Sequence, residues 1–298
     1  MVVVGSINVD QVITVNRIPL AGETLIGSTL RLLPGGKGAN QAVAAALRGA
    51  PTMLIGAVGD DAYAETAIAM LTPSGVDASH LDVAAGPTGL AFITVDSAGE
   101  NMIVVVPGAN AAVDEAAVLR HRDVIAAAAV VVLQGEIAAS GTAAAARLAT
   151  GRVVLNLAPV IELDHAIVAL ADPLVVNEHE ASLLLAQLTG EPQNSFDDAE
   201  LVSRLRAWGI PSVVLTRGAQ GAICSDATGT ASVPSPKVVA VDSSGAGDAF
   251  VGALSAALAS GAELLAAVRQ AVRVGAYAVQ SSGTQPSYPG LTDTLPGL

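Results

Sequence analysis

The feature that most restricts the fold of this chain is an alternation. Short runs of Val, Ile and Leu recur between Ala/Leu-rich stretches of helical length. Residues 2–4, 53–58, 129–133, 153–156, 174–176 and 212–216 read as strands that are apolar on both faces, the kind found in parallel sheets covered by helices on both sides. Residues 38–48, 62–71, 114–128, 140–149, 178–188 and 197–208 read as helices, several opening at an Asp, Ser or Asn that can cap the first free amides. The βαβαβ order predicts an α/β fold, a doubly wound and mostly parallel sheet with helices on both faces. Two segments break the rhythm: 11–33, and 88–106 with its Ser97-Ala98-Gly99-Glu100 turn, where apolar residues alternate as in half-exposed antiparallel strands. Neither is long enough to fold alone, so both are expected as excursions from one domain spanning 1–298, forming a small β lid over its ligand cleft. The polar, Pro/Gly-bearing tail after Pro289 is predicted to be loosely held.

Composition narrows the function classes. Hydrophobic residues make up 52% of the chain and aromatic ones only 2%, so a sizeable core must be packed by Ala, Val and Leu. A formal net charge of −13 repels the phosphate backbone that dominates nucleic-acid affinity, so nucleic acid is not an expected partner. An anionic small ligand would need local amide dipoles or cations. Cys224 is the only cysteine, which excludes an intramolecular disulfide and a Cys-rich zinc site and suits a reducing compartment, the cytoplasm by default. The N-terminus lacks a basic leader, and the longest apolar runs, such as 124–133, fall short of the ~18 residues of a membrane span, so a soluble protein with no membrane partner is expected.

The chemistry concentrates in a few segments. Asp242-Ser243-Ser244-Gly245-Ala246-Gly247-Asp248 lies between the apolar run 238–241 and the helical stretch 249–259. Small residues at 245–247 let backbone approach a ligand, and free amides at a helix start make an anion cradle. A carboxylate at 248 would repel a simply bound phosphate. It makes sense as a base taking a proton from a hydroxyl while the amides hold the phosphoryl group under attack. The alternative is a Gly-rich turn in which the Asp caps the helix. Gly35-Gly36-Lys37-Gly38-Ala39-Asn40-Gln41 fails both phosphate-loop templates, since Lys37 is followed by Gly38 and position 41 is Gln. Lys37 and Asn40 beside bare backbone suit a polyhydroxylated ligand instead. Asn8 and Asp10, after the first strand, lie where open α/β sheets bind ligands. Each of these could also be a solvated turn. Asn177-Glu178-His179-Glu180 and Glu136 follow strands in the same manner and could hold Mg²⁺ through water, or a sugar hydroxyl, although Asn177 could equally be only a helix cap. Thr216-Arg217-Gly218-Ala219-Gln220-Gly221 is another turn after a strand, which by itself reads equally as a hairpin connection. No zinc-enzyme His spacing and no Gly-x-Ser-x-Gly elbow occurs.

Taken together, these segments resemble the ribokinase-like, phosphofructokinase-B type of sugar kinases. The resemblance runs from about Val3 to Pro289 and rests most specifically on 35–41 and 242–248, with 5–10, 177–180, 216–221 and Gly283-Thr284-Gln285-Pro286-Ser287 in support. It implies a doubly wound domain with a small β lid, lids of two subunits pairing into a homodimer, and transfer of phosphate from ATP to O5 of D-ribose. Asp248 would be the catalytic base, and the amides of Gly245, Ala246, Gly247 and Asp248 the anion hole. Asn8, Asp10, Gly36, Lys37, Gly38, Asn40 and Glu136 would bind the sugar. ATP would lie along Thr216, Arg217, Gly218, Ala219, Gln220 and Gly221, with Gly247 and Asn177 near its phosphates, and Glu180 would place Mg²⁺ through water. A K⁺ site is implied at Asp242, Ser244, Ala278, Ser281, Gly283 and Ser287, where the cation would stiffen the anion-hole loop without touching substrate. The chain departs from the pattern with Ser243 where Thr is usual, Ser281 where some relatives have Arg, and Val272 where a polar residue often borders the adenine; none removes a group used in chemistry.

Overall fold

The structure, a computed structural model, describes residues 1–97, 99–190 and 196–298; Ala98 of the expected lid turn lies outside them. Its strands are β1 (Val2–Val4), β2 (Asn8–Thr14), β3 (Thr29–Gly35), β4 (Thr52–Gly59), β5 (Val76–Ala84), β6 (Gly89–Val95), β7 (Asn101–Val106), β8 (Val130–Gln134), β9 (Arg152–Asn156), β10 (Ala171–Asn177), β11 (Val213–Thr216), β12 (Ala222–Asp226) and β13 (Gly229–Val233). Nine of them form one sheet in the order β13-β12-β11-β10-β9-β8-β1-β4-β5. From β11 to β5 it is parallel, as the apolar runs require, and two packed layers cover it. One layer sits against the helices Lys37–Leu47, Ala246–Ala259 and Leu264–Ala278, the other against Ala139–Leu148, Glu178–Thr189 and Asp198–Ala207.

β1 pairs with β4 on one side and β8 on the other, so the winding direction reverses at β1. A crevice opens beyond the carboxyl ends of the strands at such a switch point. Three links position the site there. Gly5-Ser6-Ile7 leads straight from β1 into β2. Gly38, at the start of its helix, packs so closely on the backbone of Gly5 and Ser6 that an added Cβ would lie 2.5 Å from Gly5 C and Ser6 N. Gly36, the residue before that helix, has φ 87 and turns the chain over Asn8.

The two rhythm-breaking segments form a separate four-stranded sheet, ordered β3-β2-β6-β7. The first segment runs past its expected bounds, since β2 starts at Asn8 and β3 reaches Gly35, while β6 and β7 stay within 88–106. Other expectations need correction. The stretch 114–128 is two helices, Glu115–Leu119 and Arg122–Ala127, because the chain leaves helical geometry at His121 (φ −107, ψ 14). The βαβ order does not persist to the end: β12 and β13 run antiparallel at the sheet edge, so 216–221 is indeed a hairpin connection. β5 passed unread because its mixed burial follows neither pattern. The tail is not loose. Leu295 packs on the core, and the Arg273 guanidinium donates to the carbonyls of Pro296 (2.7 Å) and Leu295 (3.1 Å). No helix among the described residues is long and apolar enough to cross a membrane.

Candidate active site

Asp248 lies in the first turn of Ala246–Ala259, after Gly245 (φ 70). Its side chain does not cap the helix, which decides between the two sequence readings of this segment. The carboxylate is instead 7% exposed and faces the Lys37–Leu47 helix, where Asn40 Nδ2 donates to Oδ2 and Gln41 Nε2 to Oδ1, both at 2.9 Å. The Gly-rich start of the helix leaves first-turn amides without intrahelical acceptors. A Cβ added at Gly247 would meet nothing within 4 Å, so this backbone is open to a ligand. The 245–248 loop is held from behind. Tyr288 Oη donates to Gly245 O at 3.0 Å, while Asp242 accepts from the amides of Ser244 and Gly283, both at 2.9 Å. Burial works to raise the Asp242 carboxyl, but those donors, and the charge of Arg31, hold it below the usual carboxylate range.

The residues expected to bind sugar gather in front of Asp248. Glu136 Oε2 accepts from Ser6 Oγ (2.6 Å) and from the Lys37 amide (3.1 Å), and Ser6 Oγ also accepts from Gly38 N (3.2 Å). Asn8 Oδ1 accepts from Asn110 Nδ2 at 2.7 Å, which turns the Asn8 amide nitrogen away from Asn110 and leaves it free to donate. Asp10 is buried; desolvation first, then the charges of Glu136 and Asp248, push its carboxyl up to about 7, against the pull of Lys37. Burial draws the Lys37 ammonium down, but the carboxylates of Asp248, Glu136, Glu180 and Asp10 outweigh it and raise its pKa. One cation is thus shared among four acids, which keeps it charged.

Asp10 gives a stability prediction. A carboxyl raised on folding holds a proton that the unfolded chain releases, so its contribution is complete below the unfolded value near 3.8 and is lost as pH rises through about 7. Asp10→Asn should therefore gain on the parent between pH 5 and pH 8, by on the order of 2–3 kcal/mol, read by urea unfolding at the two pH values. Equal differences at both would remove the buried charge as the cause.

Of the sugar-side residues, Asp10 also faces the space between the lid and the body. A cleft of about 330 Å³ is lined by Asp10, Val12, Arg31 and Ile93 from the lid and by Ser243, Ser244, Gly283 and Thr284 from the body. On the nucleotide side, Asn177 and Glu180 form a reciprocal cap: Asn177 Oδ1 accepts from Glu180 N (2.8 Å) and Glu180 Oε2 from Asn177 N (2.9 Å). Burial raises the Glu180 carboxyl. Thr216 ends β11, and 218–220 make a single 3₁₀ turn. Arg217 is engaged at that turn, donating to Ser232 Oγ (2.9 Å) and the Gln220 carbonyl and pairing with Asp198 (3.5 Å). Val272, noted for the adenine border, is buried in the core.

Several site residues had no assigned role in the sequence reading. Gln41 stood inside a quoted motif, and Gln134 and Asn156 end β8 and β9. Gln285 donates to Asn40 Oδ1 at 2.8 Å, Ser6 and Asn110 hold the sugar-side residues, and Arg31 faces the cleft from the lid. The signal available for Gln134 and Asn156 was a polar residue at the carboxyl end of an apolar strand, the rule that picked out Glu136 and Asn177.

An acid at an open helix start, a polar floor and a lid define a small-molecule phosphotransferase of the α/β class. The chain belongs to the pfkB family of carbohydrate kinases, whose profile matches residues 1–290. It is 36% identical over 305 residues to a ribokinase of Schizosaccharomyces pombe, covering 98% of this chain and 96% of the relative, and 33% identical over 295 residues to a deoxyribokinase of Salmonella typhi, covering 97% and 95%. Among solved structures it is similar to Arabidopsis thaliana ribokinase complexed with ribose and ATP, with TM-score 0.86, 30% identity, and coverage of 97% of this chain and 95% of that one. It is a sugar kinase of the ribokinase family, and transfers phosphate.

Proposed function

We propose that the protein transfers the γ-phosphate of ATP to O5 of D-ribose. The observation that carries this reading is Asp248, buried at the open start of Ala246–Ala259 and facing the cluster of Asp10, Lys37, Asn40 and Glu136. With O5 seated against Asp248, its carboxylate accepts the hydroxyl proton as the oxygen attacks phosphorus. The amides of 245–248 oppose the charge that develops on the phosphoryl oxygens. Asn8, Asp10, Gly36, Gly38, Asn40 and Glu136 orient the other hydroxyls, while the Lys37 charge offsets the acids around them. The nucleotide lies along 216–221 with Asn177 near its phosphates. The relatives named ribokinase, and the Arabidopsis complex with ribose and ATP, support this choice of substrates.

Two cations fit the residues present. Glu180 uses Oε2 for its cap, which leaves Oε1 for water on Mg²⁺, and Mg²⁺ supplies charge neutralisation to the ATP phosphates. Asp242, the carbonyls of Ser244, Ala278, Ser281 and Gly283, and the Ser287 hydroxyl are an all-oxygen donor set suited to K⁺. Ser287 Oγ gives its proton to Thr284 O (2.8 Å), so its lone pairs remain available.

The deoxyribokinase relative favours 2-deoxyribose as a second reading. ADP release across ribose, 2-deoxyribose, fructose and a nucleoside, with and without K⁺, separates the two. The highest kcat/KM should fall on ribose; a preference for 2-deoxyribose would transfer the assignment, and no ADP with any sugar would overturn it.

The lid also supports a homodimer. The residues facing away from the cleft include Leu30, Leu32, Phe92, Met102, Val104 and Val106, each at least 37% exposed, and the register sets Leu32, Phe92 and Val104 in one row across the sheet. An apolar sheet face of this kind is covered best by a second copy. Val104→Glu should convert a dimer to a monomer in sedimentation velocity; a parent that is already monomeric would refute the pairing.

A further inference from the structure

Asp248 does not stand alone. It ends a buried run of side-chain amides whose polarity is set by one backbone carbonyl. Val175 O can only accept, so Asn156 must offer it Nδ2 (3.0 Å), which turns Asn156 Oδ1 toward Gln41. That oxygen can also only accept, so Gln41 must present Nε2, at 2.8 Å. The same nitrogen then has its second hydrogen for Asp248 Oδ1, and Gln41 Oε1 takes a bond from Gln134 Nε2 at 2.7 Å. On the other side Asn40 Oδ1 accepts from Gln285 Nε2, and Asn40 gives Asp248 an N–H. Gln41, Gln134 and Gln285 are at most 1% exposed, Asn40 and Asn156 at most 7%, so water does not relieve the constraint. Each carboxylate oxygen of Asp248 thus accepts one side-chain N–H, and the pair fixes how the carboxylate is turned.

We propose that Gln41 is a positioning residue for the reaction: oriented from strand β10 through Asn156, its amide holds the Asp248 carboxylate turned toward the substrate hydroxyl. This rests on the reading of Asp248 as the base. Gln41 touches no substrate, and it acts through Asp248.

The test is kcat and the KM for ribose at saturating MgATP for the parent, Gln41→Met and Asn156→Ala. Removing the Gln41 donor leaves the Asp248 side chain free to turn and should lower kcat about tenfold with the KM for ribose unchanged, because the group lost touches no substrate. Asn156→Ala frees the Gln41 amide to turn over and should lower kcat in the same way by less. It carries the test alone if Gln41→Met does not fold. An unchanged kcat, or a loss carried by KM, overturns the proposal. Asp248→Asn measured alongside separates the two levels: if it keeps its activity the base assignment fails, whereas if it is inactive and the Gln41 and Asn156 variants keep the parental kcat only the role of Gln41 fails.

Discussion

Asp248→Asn is expected to lower kcat by about 10²–10⁴ while ribose and ATP still bind, as loss of a general base does. The substitution is nearly isosteric, so the lid, the anion hole and the sugar contacts should survive. What disappears is an acceptor for the O5 proton. A modest cost in stability should accompany it, because Asn40 Nδ2 and Gln41 Nε2 both point at the carboxylate and an amide offers oxygen to only one of them. Leaving one donor unpaired in this buried site costs about 1–3 kcal/mol. Steady-state ADP release, sugar binding by calorimetry and urea unfolding measure the three effects. Near-parental turnover would take Asp248 out of the chemistry.

Gly245→Ala should be almost as damaging, for a reason that lies in backbone geometry. Gly245 has φ 70, and a Cβ there would lie 2.1 Å from Thr284 Cγ2 and 2.6 Å from Tyr288 Oη. Neither neighbour can easily retreat. Thr284 is buried, and the Tyr288 hydroxyl is bonded to the Gly245 carbonyl itself, with burial raising that phenol well above its usual range. The loop must therefore shift, which moves the amides of 245–248 relative to Asp248. Left-handed strain and overpacking together should cost about 2–4 kcal/mol of stability. Misplacing the anion hole should lower kcat by about 10²-fold. Thermal unfolding monitored by circular dichroism, with kinetics on the folded fraction, checks both. A stable variant with parental kcat would show that these amides do not need their present position.

Much of this arrangement was readable in the chain. Apolar runs on both faces demanded a covered parallel sheet, and 35–41 and 242–248 announced backbone-lined ligand loops through glycines that no packing pattern requires. The lid was legible because its residues alternate. Less readable were features that depend on what lies opposite. Asp248 could have been a helix cap until its carboxylate met Asn40 and Gln41, more than 200 residues away in sequence. Gln134, Asn156 and Gln285 are single polar residues with no periodicity of their own, and Arg31 matters only because its strand folds over Asp242. The tail looked free because the arginines that hold it lie elsewhere in the chain: Arg48 just after the Lys37–Leu47 helix, and Arg273 on Leu264–Ala278.

Local chemistry by itself determined the layers, the two glycine loops and the acid placed after the second of them, since periodicity and backbone freedom are properties of neighbouring residues. The tertiary structure alone decided which way that acid points, how far the Asp10 carboxyl is shifted and which amides must donate. Those depend on burial and on distances between groups far apart in the chain, and electrostatic and hydrogen-bond energies follow distance in space, not separation in sequence.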